Sequence, residues 1–444
     1  MLRQRSPIAS RFACGIFACA AFFSSANIAA AQTETVIHSF RANNVSVDGY
    51  GPWGKLAVDQ TGALYGTAGG GGKYGGGAVF KLSPPVTQGG AWRPSILYSF
   101  AGWIAGTNDG ISPSGNIALI PASGKIYGTT VLGGRYGGGT VYELAMPTKA
   151  GGPWTETVIY NFSEGDQPYW GIVADTNGKL YGTTYSGGSH NNGSVFRLSP
   201  PTLQGGPWTE TTLFSFNGSG APSQAYPSSV ILDAAGALYG TTGSINQING
   251  GVLFQLNPPS GAGRGWTQNI LHTFGGTGDG INPEGGLIFD AAGALYGNTL
   301  EGGLTGGGAV YKLSPPGVQG GPWTESVLYS FSQGTGDGYY PVGSLAFDGV
   351  GALYGVTQSG GIASCGDADD GCGTVFKLNP PATQGGSWTE GFLYAFQGGS
   401  DGNLPQASAT VVGTKVYGTT IYGGTGYCSS DGDTGCGTVF QVTQ

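Results

Sequence analysis

Residues 283–299 read PEGGLIFDAAGALYGNT, and the fold follows from this stretch. Leu287, Ile288 and Phe289 form a short apolar run with strand character. Asp290-Ala291-Ala292-Gly293 then makes a tight turn, because Asp bonds its own backbone and Gly takes positive φ freely. Ala294-Leu295-Tyr296-Gly297 returns as a second strand. Further out, WTQNILHTF at 266–274 precedes this hairpin, and AVYKL at 309–313 follows it after a Gly-rich loop. Ser314-Pro315-Pro316 ends the last run, since adjacent prolines cannot continue a ladder. One unit therefore holds four short strands joined by turns.

The same phrase recurs seven times, at Tyr65, Tyr127, Tyr181, Tyr239, Tyr296, Tyr354 and Tyr417, with spacings of 62, 54, 58, 57, 58 and 63 residues. Four antiparallel strands per unit describe a propeller blade, so the chain is predicted to be all-β, a seven-bladed β-propeller. Taking the Asp-x-x-Gly turn as the hairpin between a blade's first and second strands fixes the phase. The Pro-to-Asp run is innermost, Leu-Tyr-Gly is second, Val-Tyr-Lys-Leu is third, and the Trp-led run is the outermost strand of its blade. The repeat region then opens with a spare outermost strand at Thr33–Phe40 and ends with a third strand at 438–442. Pairing these two closes the ring and removes both exposed edges. A β-helix or calcium β-roll is the alternative fold, prompted by the Gly-rich stretch 69–77. That stretch lacks the regular Asp of such rolls, and the period is far too long.

Composition supports a folded array. Glycine numbers 89 of 444 residues without a collagen-like period, aromatics make up 12% and charged residues only 9%, which is the reverse of a disordered chain. Residues 1–31 read as a secretory signal peptide: Arg3, Arg5 and Arg11 are basic, 12–23 is an apolar run too short to span a bilayer, and Ala29-Ala30-Ala31 offers a cleavage site. Lipidation at Cys19 is the competing reading of this leader. The propeller domain is expected over 32–444, and the mature chain is expected to be secreted or periplasmic. Removing the leader takes the formal charge from −8 to −11, which argues against nucleic acid and anionic membranes as partners. No later stretch is apolar enough for a transmembrane segment. Four cysteines follow the leader, and their spacing suggests Cys365–Cys372 and Cys428–Cys436 bridges within two equivalent loops. A four-cysteine zinc site joining the loops is the alternative.

The unit Pro-x-Gly-x-Leu-x-x-Asp-x-x-Gly-x-Leu-Tyr-Gly-Thr-Thr, followed by Gly-Gly and Gly-x-Val-Phe-Lys-Leu, resembles the GloVer tandem-repeat family of exported bacterial proteins. Leu180 to Thr184, Leu238 to Thr242 and Gly373 to Leu378 carry the resemblance. It implies export and a repeat architecture, and no activity. Members of that family carry varied surface anchors. Here the sequence ends at Gln444, directly after the last strand, so a released or periplasmic protein is expected.

Most residues with chemical potential recur in nearly every unit and so read as architecture. The Asp-Gly pairs at Asp48, Asp109, Asp279, Asp337 and Asp401 supply turns, although a ring of carboxylates could also bind cations or sugar hydroxyls. Trp92, Trp154, Trp208, Trp266, Trp323 and Trp388 head the outermost strands and are expected to cover the blades' outer edges. His38 and His272 stand where other units carry Tyr, and both read as structural. Departures from the repeat are better candidates for a site. Trp53, Trp103 and Trp170 fall in or beside channel-face loops and could contact a ligand. His190, in a Gly-rich loop, is the one candidate functional histidine. Asp367, Asp369 and Asp370 in one cysteine loop, with Asp431 and Asp433 in the other, could wrap calcium; otherwise they are solvated loop residues, and no other cofactor is implied. No nucleophile elbow, phosphate loop or zinc-protease motif occurs. A non-catalytic binding protein for a glycan or another cell-surface component is expected. The alternatives are a lyase or hydrolase at the channel mouth and a purely structural envelope protein.

Overall fold

Each blade is one sheet whose four main strands are antiparallel and, in the first six blades, hydrogen-bonded in chain order from the channel outwards. The computed structural model describes residues 33–444 except 42–47, 103, 105–106, 150, 204, 219–224, 244–249, 262, 319, 334–335, 362–364, 366–370, 384, 427 and 429–434. In blade 1 the order is Tyr50–Val58, Leu64–Gly70, Ala78–Ser83 and Arg93–Ser99. Blades 2 and 6 follow the same plan, while the innermost strand of blades 3, 4, 5 and 7 is short or broken into pieces. Seven such sheets form a seven-bladed propeller, and no helix occurs among the described residues. Accordingly, no helix there is long and apolar enough to cross a membrane. The ring closes as the sequence predicts. Glu34–Ser39 pairs antiparallel with Thr438–Thr443, with Val36 opposite Phe440 and Ser39 opposite Thr438, and becomes the outermost strand of blade 7.

The recurrent residues explain the repeat. In five units the Asp of Asp-x-x-Gly accepts from its own turn's backbone N–H groups and from the Tyr hydroxyl of Leu-Tyr-Gly, as in Tyr65–Asp59 (2.9 Å) and Tyr354–Asp348 (3.0 Å). Seven apolar clusters lie at the seams between blades, each drawing residues from two neighbours. One wedge recurs at every seam. The Phe ending an outermost strand meets the third-strand aromatic of the next blade at 4.9–5.3 Å: Phe40–Phe80, Phe100–Tyr142, Phe162–Phe196, Phe216–Phe254, Phe274–Tyr311, Phe331–Phe376 and Phe396–Phe440. Such edge-on or tilted pairs add about 0.5–1.5 kcal/mol beyond their buried area. The leading Trp residues do more than cover outer edges. Trp92, Trp208 and Trp323 pack against the Tyr of the preceding blade, at Tyr417, Tyr127 and Tyr239.

Seven glycines set the distance between blades. Gly77, Gly139, Gly193, Gly251, Gly308, Gly373 and Gly437 stand at or just before the start of the third strands, at φ of 89–97°. A Cβ at any of them would fall 2.4–2.9 Å from the Cδ of the next blade's repeated proline, ending with Gly437 against Pro52 across the closure. Only glycine allows that approach.

Candidate binding face

The repeated proline has a second consequence. The residue before it is left-handed in every blade: Gly51, Ser112, Gln167, Tyr226, Asn282, Tyr340 and Leu404 have φ of 53–59°. Six of these are not glycine, and such a conformation costs roughly 1–3 kcal/mol unless its surroundings enforce it. The neighbouring blade supplies the restraint. The N–H groups of Gly51, Ser112, Gln167, Tyr226, Asn282 and Leu404 donate to the carbonyls of Cys436, Gly76, Gly138, Asn192, Gly250 and Cys372 at 2.9–3.2 Å. A rigid frame thus holds seven positions, six of them with side chains, around the channel mouth. They share this face with the loops between second and third strands.

The channel itself is nearly shut. The innermost strands bulge at Gly54 and Gly115, where a Cβ would lie 2.2 Å from the backbone of the next blade. Asn116 bridges to Gly171, and Lys55 N–H donates to Asn116 Oδ1 at 3.0 Å. What remains is a cavity of about 70 Å³ among Trp53, Asn116, Tyr169, Trp170, Glu284 and a ring of small residues. That space is far smaller than a small-molecule site. Burial, with Glu301 nearby, pushes the Glu284 carboxyl above the ordinary glutamate range. Burial, together with Glu284 and Tyr185, pushes the Tyr169 hydroxyl up to about 12.

Where the ring carries its two smallest residues, Gly51 and Ser112, the face opens into a cavity of about 490 Å³. This volume lies within the range of small-molecule sites. Tyr50 and Trp53 of blade 1, Tyr169 of blade 3 and Tyr422 of blade 7 supply its aromatic surface. Ser112, Ser114, Val131, Leu132 and glycine backbone fill the gaps, and no charged side chain lines it among the described residues. Trp53 and Tyr169 meet edge-on at 5.8 Å and border both cavities. An aromatic belt continues through Trp170 and Tyr185 to Tyr226, which stacks on Tyr185 at 4.6 Å.

Of the sequence candidates, Trp53 and Trp170 come together through Tyr169. Trp170 Nε1 is buried without a hydrogen-bond partner. His190 is not brought into either cavity. It is exposed on a blade 3 loop, with Nδ1 2.8 Å from Ser189 Oγ. Trp103, Asp367, Asp369, Asp370, Asp431 and Asp433 lie outside the described residues. Both disulfides are formed as paired from the sequence, Cys365–Cys372 and Cys428–Cys436, each with Cα atoms 5.3 Å apart, so the cysteines are not joined in a zinc site. Cys428 and Cys436 also wall the larger cavity. Serine at both positions should lower stability by roughly 2–3 kcal/mol, the loop-closure value for so short a loop. Denaturant titration would read the loss.

The Asp-Gly carboxylates turn into their own loops. Asp109 accepts from Tyr98 Oη (3.0 Å) and the N–H groups of Ala101 and Gly110, and Asp337 accepts from Tyr329 and Ser332. His38 and His272 take the tyrosine's place beside Asp48 and Asp279. Sequence reasoning missed Tyr50, Tyr169 and Tyr422. Tyr169 was findable, because it follows the repeated proline at a position where blades 2 and 4 carry Ser114 and Ser228.

Residues 23–220 and 202–430 match the Gloeobacter/Verrucomicrobia repeat. The chain belongs to this repeat family. Membership and the two disulfides fit an extracellular or periplasmic location for this Gloeobacter/Verrucomicrobia repeat protein. A comparison with curated proteins found no match. Similar solved structures include the PQQ-bound aldose sugar dehydrogenase of Streptomyces coelicolor, 13% identical over 93% of this chain and 98% of that one, with a TM-score of 0.43. A putative glucose dehydrogenase of Thermus thermophilus is 16% identical over 93% and 99% of the two chains, with a TM-score of 0.39. A gluconolactonase of Xanthomonas campestris is 12% identical over 73% and 86%, also at 0.39. Likeness at this level carries no argument about the activity of the repeat protein.

Proposed function

We propose that this is an exported, non-catalytic binding propeller that takes a neutral glycan of the cell surface or surroundings into the cavity between blades 7, 1 and 2. On this reading residues 1–31 are a cleaved leader and 32–444 are the secreted or periplasmic domain. The carrying observation is the lining of the cavity: Tyr50, Trp53, Tyr169 and Tyr422, with hydroxyl and backbone groups between them and no charged side chain among the described residues. Aromatic faces stack on the apolar face of a sugar ring, and scattered polar groups meet its hydroxyls. A charged ligand would find no counter-ion among these lining residues.

Calorimetry against a glycan panel tests the reading. A positive should bind wild type and lose at least about tenfold affinity, or ~1.4 kcal/mol, in Trp53→Ala. Retention of full affinity by that variant would remove the cavity from the account. A lyase or hydrolase is the second reading, favoured by the raised carboxyl of Glu284 in the channel. It is the weaker one, because the adjoining space of about 70 Å³ is far smaller than the ordinary range for small-molecule sites. Turnover of a bound glycan that disappears in Glu284→Gln would reverse this order.

A further inference from the structure

We infer that His272, Asp279 and Glu325 form a site for a divalent transition-metal ion, zinc by preference, that clamps blade 4 to blade 5. His272 comes from the outermost strand of blade 4 (Thr267–Thr273), Asp279 from the loop leading into blade 5, and Glu325 from the outermost strand of blade 5 (Thr324–Ser332). One ligand atom from each lies within 4.8 Å of the others. His272 Nε2 and Asp279 Oδ2 are 3.1 Å apart. Bonds of 2.0–2.1 Å in a tetrahedral site place ligand atoms about 3.3 Å apart, so this pair already spans one edge of the polyhedron. Glu325 Oε1 is buried and has no hydrogen-bond partner. His272 and Asp279 side chains keep 22% and 12% of their surface, so an ion can reach them from solvent. Phe274 meets the His272 ring edge-on at 4.6 Å and helps to fix its orientation.

The repeat provides an internal control. Glu325 pairs with Leu313 across its sheet, and the same register holds Glu156, Glu210, Gln268, Glu390, Glu34 and Pro94 in the other blades. At the position of His272, register places Tyr98, Tyr160, Phe214, Tyr329, Tyr394 and His38. Tyrosine satisfies the loop aspartate with a hydroxyl and is a poor ligand. His38 has Asp48 beside it, but the next blade offers Pro94 where a third ligand would stand. Imidazole, aspartate and glutamate thus coincide at this seam alone among the described residues. Imidazole with two carboxylates suits zinc, nickel or copper, whereas calcium and magnesium require more oxygen ligands than the trio offers.

The test uses the full mature chain without a histidine tag. Calorimetry should show one zinc ion bound with micromolar affinity, and zinc at tens of micromolar should raise the unfolding midpoint by several degrees, with calcium having no such effect at the same concentration. His272→Tyr installs the residue four other seams carry and so preserves the fold; Glu325→Gln keeps the shape. Each should weaken zinc binding at least tenfold and abolish the shift in midpoint. Absence of binding up to millimolar zinc, or equal affinity in both variants and wild type, would overturn the assignment. Because the site lies across the ring from the aromatic cavity, these outcomes do not depend on glycan binding.

Discussion

The melting temperature should fall by roughly 5 °C between pH 5.5 and pH 8.5, because burial at five seams favours protonated glutamates that the unfolded chain would ionise. Glu34, Glu156 and Glu390 sit in the Thr-Glu step of outermost strands and face Asp401, Asp109 and Asp337 of the preceding loops. Burial, reinforced by those aspartates, pushes the three glutamates to about 8, about 8 and about 7. Burial, with Asp166 and Asp279 respectively, raises Glu210 and Glu325 as well. A glutamate raised in the folded state contributes fully below its unfolded value near 4.5. Above that value the unfolded chain has lost a proton the native state retains. Each pH unit up to the folded value therefore favours unfolding. These groups are partly exposed, so screening reduces each contribution to on the order of 1 kcal/mol. For a domain of this size, about 1 kcal/mol shifts the midpoint by roughly 1 °C.

The acid side has the opposite sign. Burial pushes Asp59 up, but hydrogen bonds from Thr61, Tyr65 and the N–H groups of Ala63 and Thr61 outweigh it and hold the carboxyl at about 2. Its contribution is present above the unfolded value of 3.8 and is lost as pH falls through 2. Stability should peak near pH 5. Calorimetric midpoints across pH 3–9 check this, and Glu34→Gln, Glu156→Gln and Glu390→Gln combined should flatten the alkaline limb. A midpoint that stays level or climbs from pH 5.5 to 8.5 would show that the seam carboxyls are ionised in the native state.

Removing residues 33–40 should abolish the monomeric fold. That segment supplies the outermost strand of blade 7, and Phe40 is fully buried against Phe80 at the seam with blade 1. Without it, Thr438–Thr443 becomes an unpaired edge, and the cluster containing Leu56, Phe80 and Val439 opens to water. Phe40→Ala alone should cost about 3–5 kcal/mol, the range for deleting a buried phenylalanine. Denaturant titration reads the point variant. Gel filtration of the truncated chain should show aggregates or strand-exchanged oligomers. A truncated chain that remains monomeric with an unchanged midpoint would mean that closure contributes nothing.

Much of the architecture was legible because the repeat supplied seven readings of one pattern. The Asp-x-x-Gly turn set the phase, the phase set which strand was spare, and the spare strand set the closure. The cysteine pairs were legible for the same reason, since both bridges lie within loops of equivalent place. The candidate site was only partly legible. Trp53 and Trp170 stood out as departures from the repeat, but Tyr50 and Tyr422 approach the same cavity from opposite ends of the sequence, in blades 1 and 7. His190 stood out equally well and lies elsewhere, because an exposed loop residue and a cavity residue interrupt a repeat in the same way.

By itself the sequence determined the local and periodic properties of this protein: seven units, four strands in each, the turn chemistry, and a strand left over for closure. The strands and the turn chemistry are set within about 60 residues, where spacing and side-chain type suffice, and repetition along the chain gives the number of units and the spare strand. Only the tertiary structure decided what the contact between neighbouring blades creates. The left-handed ring before the prolines, the shut channel, the opening at Gly51 and Ser112 and the trio at His272 all arise from residues of different repeats held at ångström separations. Periodicity carries no information about such distances. They are set by close packing at the seams, where a glycine against a proline or a phenylalanine against the next blade fixes how closely each pair of neighbours can approach.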